Sequence, residues 1–211
     1  MIRIRKSSLP ADTVIRDERD WIPGTPVYAR LTEDCHGKCY ICEDNSSDLN
    51  VEHIKPLSKY PSPAFALSWD NLLLACKEHC NPLKGNSFAG IINPCVVDPE
   101  AKIGLSTGLG RIVIERLDCD TDTRETAELL EKVYNATGLN ANWRTKCRKL
   151  RGKIETNVKM FLAYAENAGD DTYDELIRQE IDNSAAFAAF KRKIVRDDPQ
   201  LCSRFSATLA R

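Results

Sequence analysis

The spacing of apolar positions divides the chain into two regimes. Up to about residue 117 apolar residues come in short runs or alternate with polar ones, as in strands; after about Thr123 they recur every three or four residues, as on one helix face. In the first regime "LNVEHIKPLS" reads as strand-like, and a short helical turn is expected around Pro82 and Gly85. "RIVIERL", set off by Gly104, Gly108 and Gly110, reads as a half-buried strand of a hairpin. In the second regime "TRETAELLEKVYNATGL" reads as a helix stopping at Gly138. "NWRTKCRKLRGKIETNVKMFLAYAEN" places Trp143, Leu150, Ile154, Val158, Phe161 and Leu162 near one face, and a last helix is expected over "NSAAFAAFKRKIV".

Pro10, Pro23, Gly24 and Pro26 make residues 1–30 read as an extended arm with few strong elements. The expected organisation is that arm, a compact unit over 31–120, and a helical region over 121–211, an α+β chain whose polar chemistry is concentrated between Cys35 and about Asn93. At 211 residues with 42% hydrophobic content it can bury a sizeable core. The net charge of −1 means that any nucleic-acid surface must be a local patch, since the whole-chain field does not draw a polyanion. No run approaches the roughly 18 apolar residues of a membrane span, and "MIRIRKSSLPADT" lacks the apolar core of a signal peptide, so a cytoplasmic location is expected.

Nine cysteines, an odd number in a chain without export signals, favour metal ligation over a disulfide framework. Cys39 and Cys42 form a Cys-x2-Cys knuckle; Cys76 and Cys80 form a second with one extra residue. Together they offer the four thiolates of a structural Zn²⁺ site. His79 is a rival ligand at the tighter spacing from Cys76. The 33-residue spacer requires something folded between the knuckles, and Cys35, Cys95, Cys119, Cys147 and Cys202 have no partner at ligand spacing.

The spacer and its far end carry Glu52-His53-Ile54-Lys55-Pro56, Trp69-Asp70-Asn71-Leu72 and Asn81-Pro82-Leu83-Lys84-Gly85. This order, over about Cys39 to Phe88, resembles the HNH nuclease superfamily, whose ββα-metal fold has an acidic-His-hydrophobic-x-Pro strand, a loop Asn and a closing Cys-Asn-x-x-Lys-Gly. The resemblance implies a ββα-metal core with a four-cysteine structural zinc, followed by a mainly helical C-terminal region. It also implies His53 as general base, Glu52 and Asn81 as ligands of a catalytic Mg²⁺ or Mn²⁺, and Asn71 as the residue pinning the loop that orients His53. Phosphodiester hydrolysis needs those parts: a base for water, which neutral imidazole supplies, and a cation for the growing negative charge. Lys84, three residues after Asn81, is expected to meet a substrate phosphate. The extra residue in Cys76-x3-Cys80 departs from the family pattern, and Asn81 before Pro82 also reads as a helix N-cap, so capping and metal binding compete for its oxygen.

Basic clusters are expected to track a phosphate backbone: Arg144, Lys146, Arg148, Lys149, Arg151 and Lys153 in one stretch, and Lys191, Arg192, Lys193 and Arg196 in another. A solvated helix face is the alternative. The acidic "ENAGDDTYDELIRQEID" is expected to face solvent or a protein partner. "MIRIRK", "VEHIKPLS", "WDNLLLAC", "NPCVVDPE" and "FAAFKRKIVRDD" extend the resemblance to HNH subunits of Septu-type and retron-associated anti-phage defence. That likeness implies an ABC-type ATPase partner docking on the C-terminal helices. The competing expectation from another class is a zinc-dependent nucleic-acid or protein binding module without catalysis.

Overall fold

The computed structural model describes residues 1–45 and 47–210. Among these residues two antiparallel hairpins and eight α-helices alternate with loops. Strand β1 (Leu49–His53) pairs with β2 (Leu72–Cys76) in the register Glu52↔Leu73 and His53↔Leu72, and the second hairpin pairs β3 (Ile103–Gly108) with β4 (Arg111–Arg116). Helix α1 (Pro26–Asp34) precedes the first hairpin and α2 (Pro63–Ala66) lies in its long connection. A short α3 (Cys80–Lys84) follows β2. After the second hairpin come α4 (Thr121–Asn135), α5 (Ala141–Ala165), α6 (Asp171–Glu180), α7 (Ala188–Asp197) and α8 (Pro199–Leu209).

Local chemistry explains most helix starts. Thr25, Asp120, Asn140, Asp170 and Asp198 each stand at an N-cap and accept a bond from a first-turn amide, and Pro26 and Pro199 sit at first helical positions. Helix α4 ends where Ala136 turns left-handed (φ 56°), two residues before the expected stop at Gly138. Helix α7 has no side-chain cap of its own. Glu43, from the loop beside the first cysteine knuckle, reaches across the fold and accepts from the Ala189 amide at 3.1 Å. A buried carboxylate therefore meets the positive end of a distant helix.

All five residues of β2 are buried, and one core cluster runs from Met1, Ile2 and Ile4 through β2, α4 and α5 to Phe190. Residues from the expected arm, unit and helical region thus share one core. The arm does not stand apart from the core. Its first residues are interior, Trp21 ends a 3₁₀ turn (Glu18–Trp21), and α1 begins within it. A second cluster joins Phe161 of α5 to Ile177, Ile181, Val195, Leu201 and Phe205. On α5 the buried stripe is Cys147, Leu150, Ile154, Val158 and Phe161, while Leu162 faces solvent. The last expected helix starts later, at Ala188, and α8 follows it. Among the described residues no helix is long and apolar enough to cross a membrane.

Glu43 also binds the α-amino group of Met1 at 2.8 Å, both groups being almost fully enclosed. Burial pushes its carboxyl up, but that ammonium and Lys38 outweigh burial and hold it below the usual carboxylate range. Removing one partner of such a group leaves buried charge uncompensated. Glu43→Ala is expected to lower stability by about 3–5 kcal/mol, read from denaturant melts; a loss under about 0.5 kcal/mol, the range of surface substitutions, would contradict the capping role.

Candidate functional site

Four thiols converge beneath the first hairpin. The sulfurs of Cys39, Cys42, Cys76 and Cys80 lie within 4.8 Å of one another, all are buried, and Cys42 Sγ and Cys76 Sγ are 3.5 Å apart. A zinc tetrahedron with Zn–S of about 2.3 Å has edges of about 3.8 Å, so the donor set fits Zn²⁺ in type and spacing. The thiols crowd one another electrically. Burial pushes Cys42 and Cys80 well up; at Cys39 burial acts upward too, but hydrogen bonds from the other three outweigh it and hold that thiol well below its ordinary range. A buried cluster of this kind carries four negative charges only with a cation at its centre.

The clip is built by local backbone geometry. His36, Gly37 and Glu43 adopt left-handed conformations around the first knuckle, and the Tyr40 amide donates to Leu74 O on β2 at 2.9 Å. The second knuckle spans the end of β2 and the first residue of α3. His79 stays outside the sulfur cluster: its Nε2 is 2.9 Å from Val133 O and its ring packs edge-on against Trp143. It ties the start of α3 to α4 and α5. Cys35, the nearest of the other cysteines in sequence, is buried, and burial pushes its thiol up to about 12.

At the other end of β1 stands His53. Its Nε2 lies 2.9 Å from Ala66 O, and its ring meets Trp21 edge-on with centroids 5.6 Å apart. A carbonyl oxygen only accepts, so Nε2 carries the proton and, in the neutral ring, Nδ1 carries the lone pair. Asn71 fixes the chain directly beyond. Its Oδ1 accepts from the Lys55 amide at 2.8 Å, its Nδ2 donates to Lys55 O at 3.1 Å, and Ile54 N donates to Asn71 O. The imidazole borders a cleft of about 330 Å³ whose walls include Trp21, Pro23, Tyr28 and Asn50.

Alternation along β1 sends Asn50 and Glu52 to the face covered by α3. There Glu52 Oε1 and the His53 carbonyl both accept from Lys84 Nζ at 2.7 Å. Lys84 is fully enclosed, so it does not stand at the surface where the sequence led us to expect a phosphate contact; a buried ammonium is retained only against a carboxylate. Burial pushes the Glu52 carboxyl up against the pull of Lys84. Asn81 does not cap α3, whose N-cap position is His79; its Nδ2 donates to Asn50 Oδ1 at 3.1 Å. Glu52 Oε2 and Asn81 Oδ1 accept no hydrogen bond among the described residues. The carboxylate that the sequence offers to a divalent cation is thus already paired with an enclosed ammonium.

The expected phosphate-tracking surface is smaller than its sequence. Arg144, Arg148 and Lys149 are exposed on α5, and Lys146 lies beside them, donating to Glu78 O and stacked over Trp143. Arg151 donates to Tyr134 O. Lys191 and Arg192 are interior and paired with Glu180 and Glu100, because the amphipathic α7 turns them toward the core; Lys193 is held by Asp197 and Glu115. Trp21, Tyr28, Asn50 and the Ala66 carbonyl were not anticipated at the site. Only Asn50 had a signal, standing two residues before Glu52 on the same strand face.

The purified protein is expected to carry about one zinc per chain. Cys76→Ser is expected to lose it, together with a cooperative melt, while His79→Ala keeps it, as read by elemental analysis and calorimetry. Full zinc in Cys76→Ser, or its loss in His79→Ala, would overturn the assigned ligand set. Comparison of the sequence with protein-family models and with curated proteins finds no match.

Proposed function

We propose that the chain is an HNH-type endonuclease that hydrolyses phosphodiester bonds of nucleic acid, DNA by preference and RNA as the other substrate. The observation that carries this reading is the setting of His53: Nε2 anchored on Ala66 O, the ring held against Trp21, the following backbone pinned by Asn71. Such an imidazole presents Nδ1 as a base of fixed direction.

In this reading Nδ1 of His53 takes a proton from water as the water oxygen bonds to phosphorus. The P–O3′ bond breaks, and protonation of the departing oxygen by solvent leaves a 3′-hydroxyl and a 5′-phosphate. A Mg²⁺ or Mn²⁺ ion held through Glu52 and Asn81 would supply neutralisation of the growing negative charge. Lys84 holds Glu52 and the end of β1, and so keeps carboxylate and imidazole at a set separation. The anti-phage setting and the ABC-type ATPase partner belong to this proposal through the resemblance of the sequence; exposed α5 residues Arg144, Arg148 and Lys149 are the basic side chains offered to substrate.

A second reading, a zinc-held binding module without catalysis, is favoured by one observation: the enclosed Lys84–Glu52 pair already neutralises the carboxylate that a divalent ion would need. His53→Ala separates the two. In the presence of Mg²⁺ or Mn²⁺ the nuclease reading expects cleavage of DNA or RNA to fall by about 10²–10⁴-fold with zinc and melting temperature retained. Cleavage equal to that of the unmodified chain, or none in either protein, sinks it.

A further inference from the structure

The connection between β1 and β2 carries a second surface. Residues 54–71, "IKPLSKYPSPAFALSWDN", hold two lysines and one carboxylate, Asp70, in a chain whose net charge is −1. Tyr60 is 41% exposed at its crest. Its ring lies 5.5 Å from that of Phe65 with a 41° tilt, and Lys55 Nζ stands 5.5 Å from the Tyr60 centroid. Beside them opens a shallow, mainly apolar hollow of about 610 Å³, lined by Lys59, Tyr60, Ser62 and Phe65 among others. Neither Lys55 nor Lys59 has a carboxylate partner among the described residues, unlike Lys84 and Lys191.

The platform is built rather than loose. Asn71 staples its first residues to its last, Trp69 Nε1 donates to Ser7 O at 2.8 Å, and Pro56 and Pro61 restrict the backbone between. It is also joined to the site: Ala66, next to Phe65, is the residue whose carbonyl accepts from His53. An aromatic pair with unpaired lysines suits a nucleobase flanked by phosphates. In a duplex the base faces are covered by their neighbours, so a ring on a rigid loop meets a base face only where the strand is single or the base is flipped out.

We propose that this connection selects single-stranded nucleic acid, stacking an unpaired base on Tyr60 and Phe65 with Lys55 and Lys59 against the adjoining phosphates. The proposal rests on the nuclease reading only in taking the strand held there as the one presented to His53. Stacking on one aromatic residue changes affinity by roughly 5- to 150-fold per base.

The test is equilibrium binding by fluorescence anisotropy, with the full zinc-loaded chain and no added divalent ion. The probes are an oligothymidylate and an oligouridylate of about 20 nucleotides and a DNA duplex of equal length. The single strands are expected to bind more tightly than the duplex. Tyr60→Ala is expected to weaken single-strand binding roughly 5- to 150-fold while Tyr60→Phe, which keeps the ring face, stays within about twofold. Lys59→Ala should lower the salt dependence of binding by about one phosphate contact. The two single strands distinguish DNA from RNA. Equal or tighter binding of the duplex, binding to none of the probes, or an unchanged affinity in Tyr60→Ala overturns the proposal. Selective binding without cleavage under Mg²⁺ or Mn²⁺ leaves it standing and removes the nuclease reading; cleavage insensitive to Tyr60→Ala does the reverse.

Discussion

The convergence of four thiols on one point is the constraint from which the remaining geometry follows. A two-stranded sheet of five residue pairs is marginal in water, and here its strands are separated by an 18-residue connection that costs closure entropy. A metal on the four thiols would tie Cys39 and Cys42 to the end of β2 and the start of α3 and so reduce that freedom. The register of β1 against β2 then determines where Glu52 and His53 stand, one on the α3 face and one at the open end.

The same knuckle organises the helical half. Glu43 caps α7, Lys38 donates to the carbonyls of Asn183 and Ala185, and Asp44 pairs with Lys153 of α5. Backbone ends that would otherwise need water are satisfied by charged side chains close in sequence to a cysteine ligand. Loss of the cluster would therefore loosen both the hairpin and the docking of α7.

Much of this was legible in the sequence, for identifiable reasons. The thiols of Cys39, Cys42, Cys76 and Cys80 announce themselves by spacing, and the periodicities of "RIVIERL" and of α4 and α5 report half-buried faces that the structure contains. The start of α1 was hidden because Pro23, Gly24 and Pro26 read as breakers, although Thr25 followed by Pro26 is also a helix start. The fate of Lys84, Lys191 and Arg192 was beyond local pattern. Long cationic side chains look alike in sequence whether they reach solvent or run inward, and only the distant Glu52, Glu180 and Glu100 decide. The anchoring of His53 by Ala66 O is likewise a backbone contact that no side-chain motif encodes.

The claim that the thiol cluster governs the hairpin and the site is tested most directly by amide hydrogen exchange before and after zinc is withdrawn with a chelator. The account predicts that β1, β2, α3 and the first turn of α7 lose protection together, while the separate cluster around Phe161, Ile177 and Phe205 keeps its own. Unchanged protection in β1 and β2 after complete removal of the metal would contradict it.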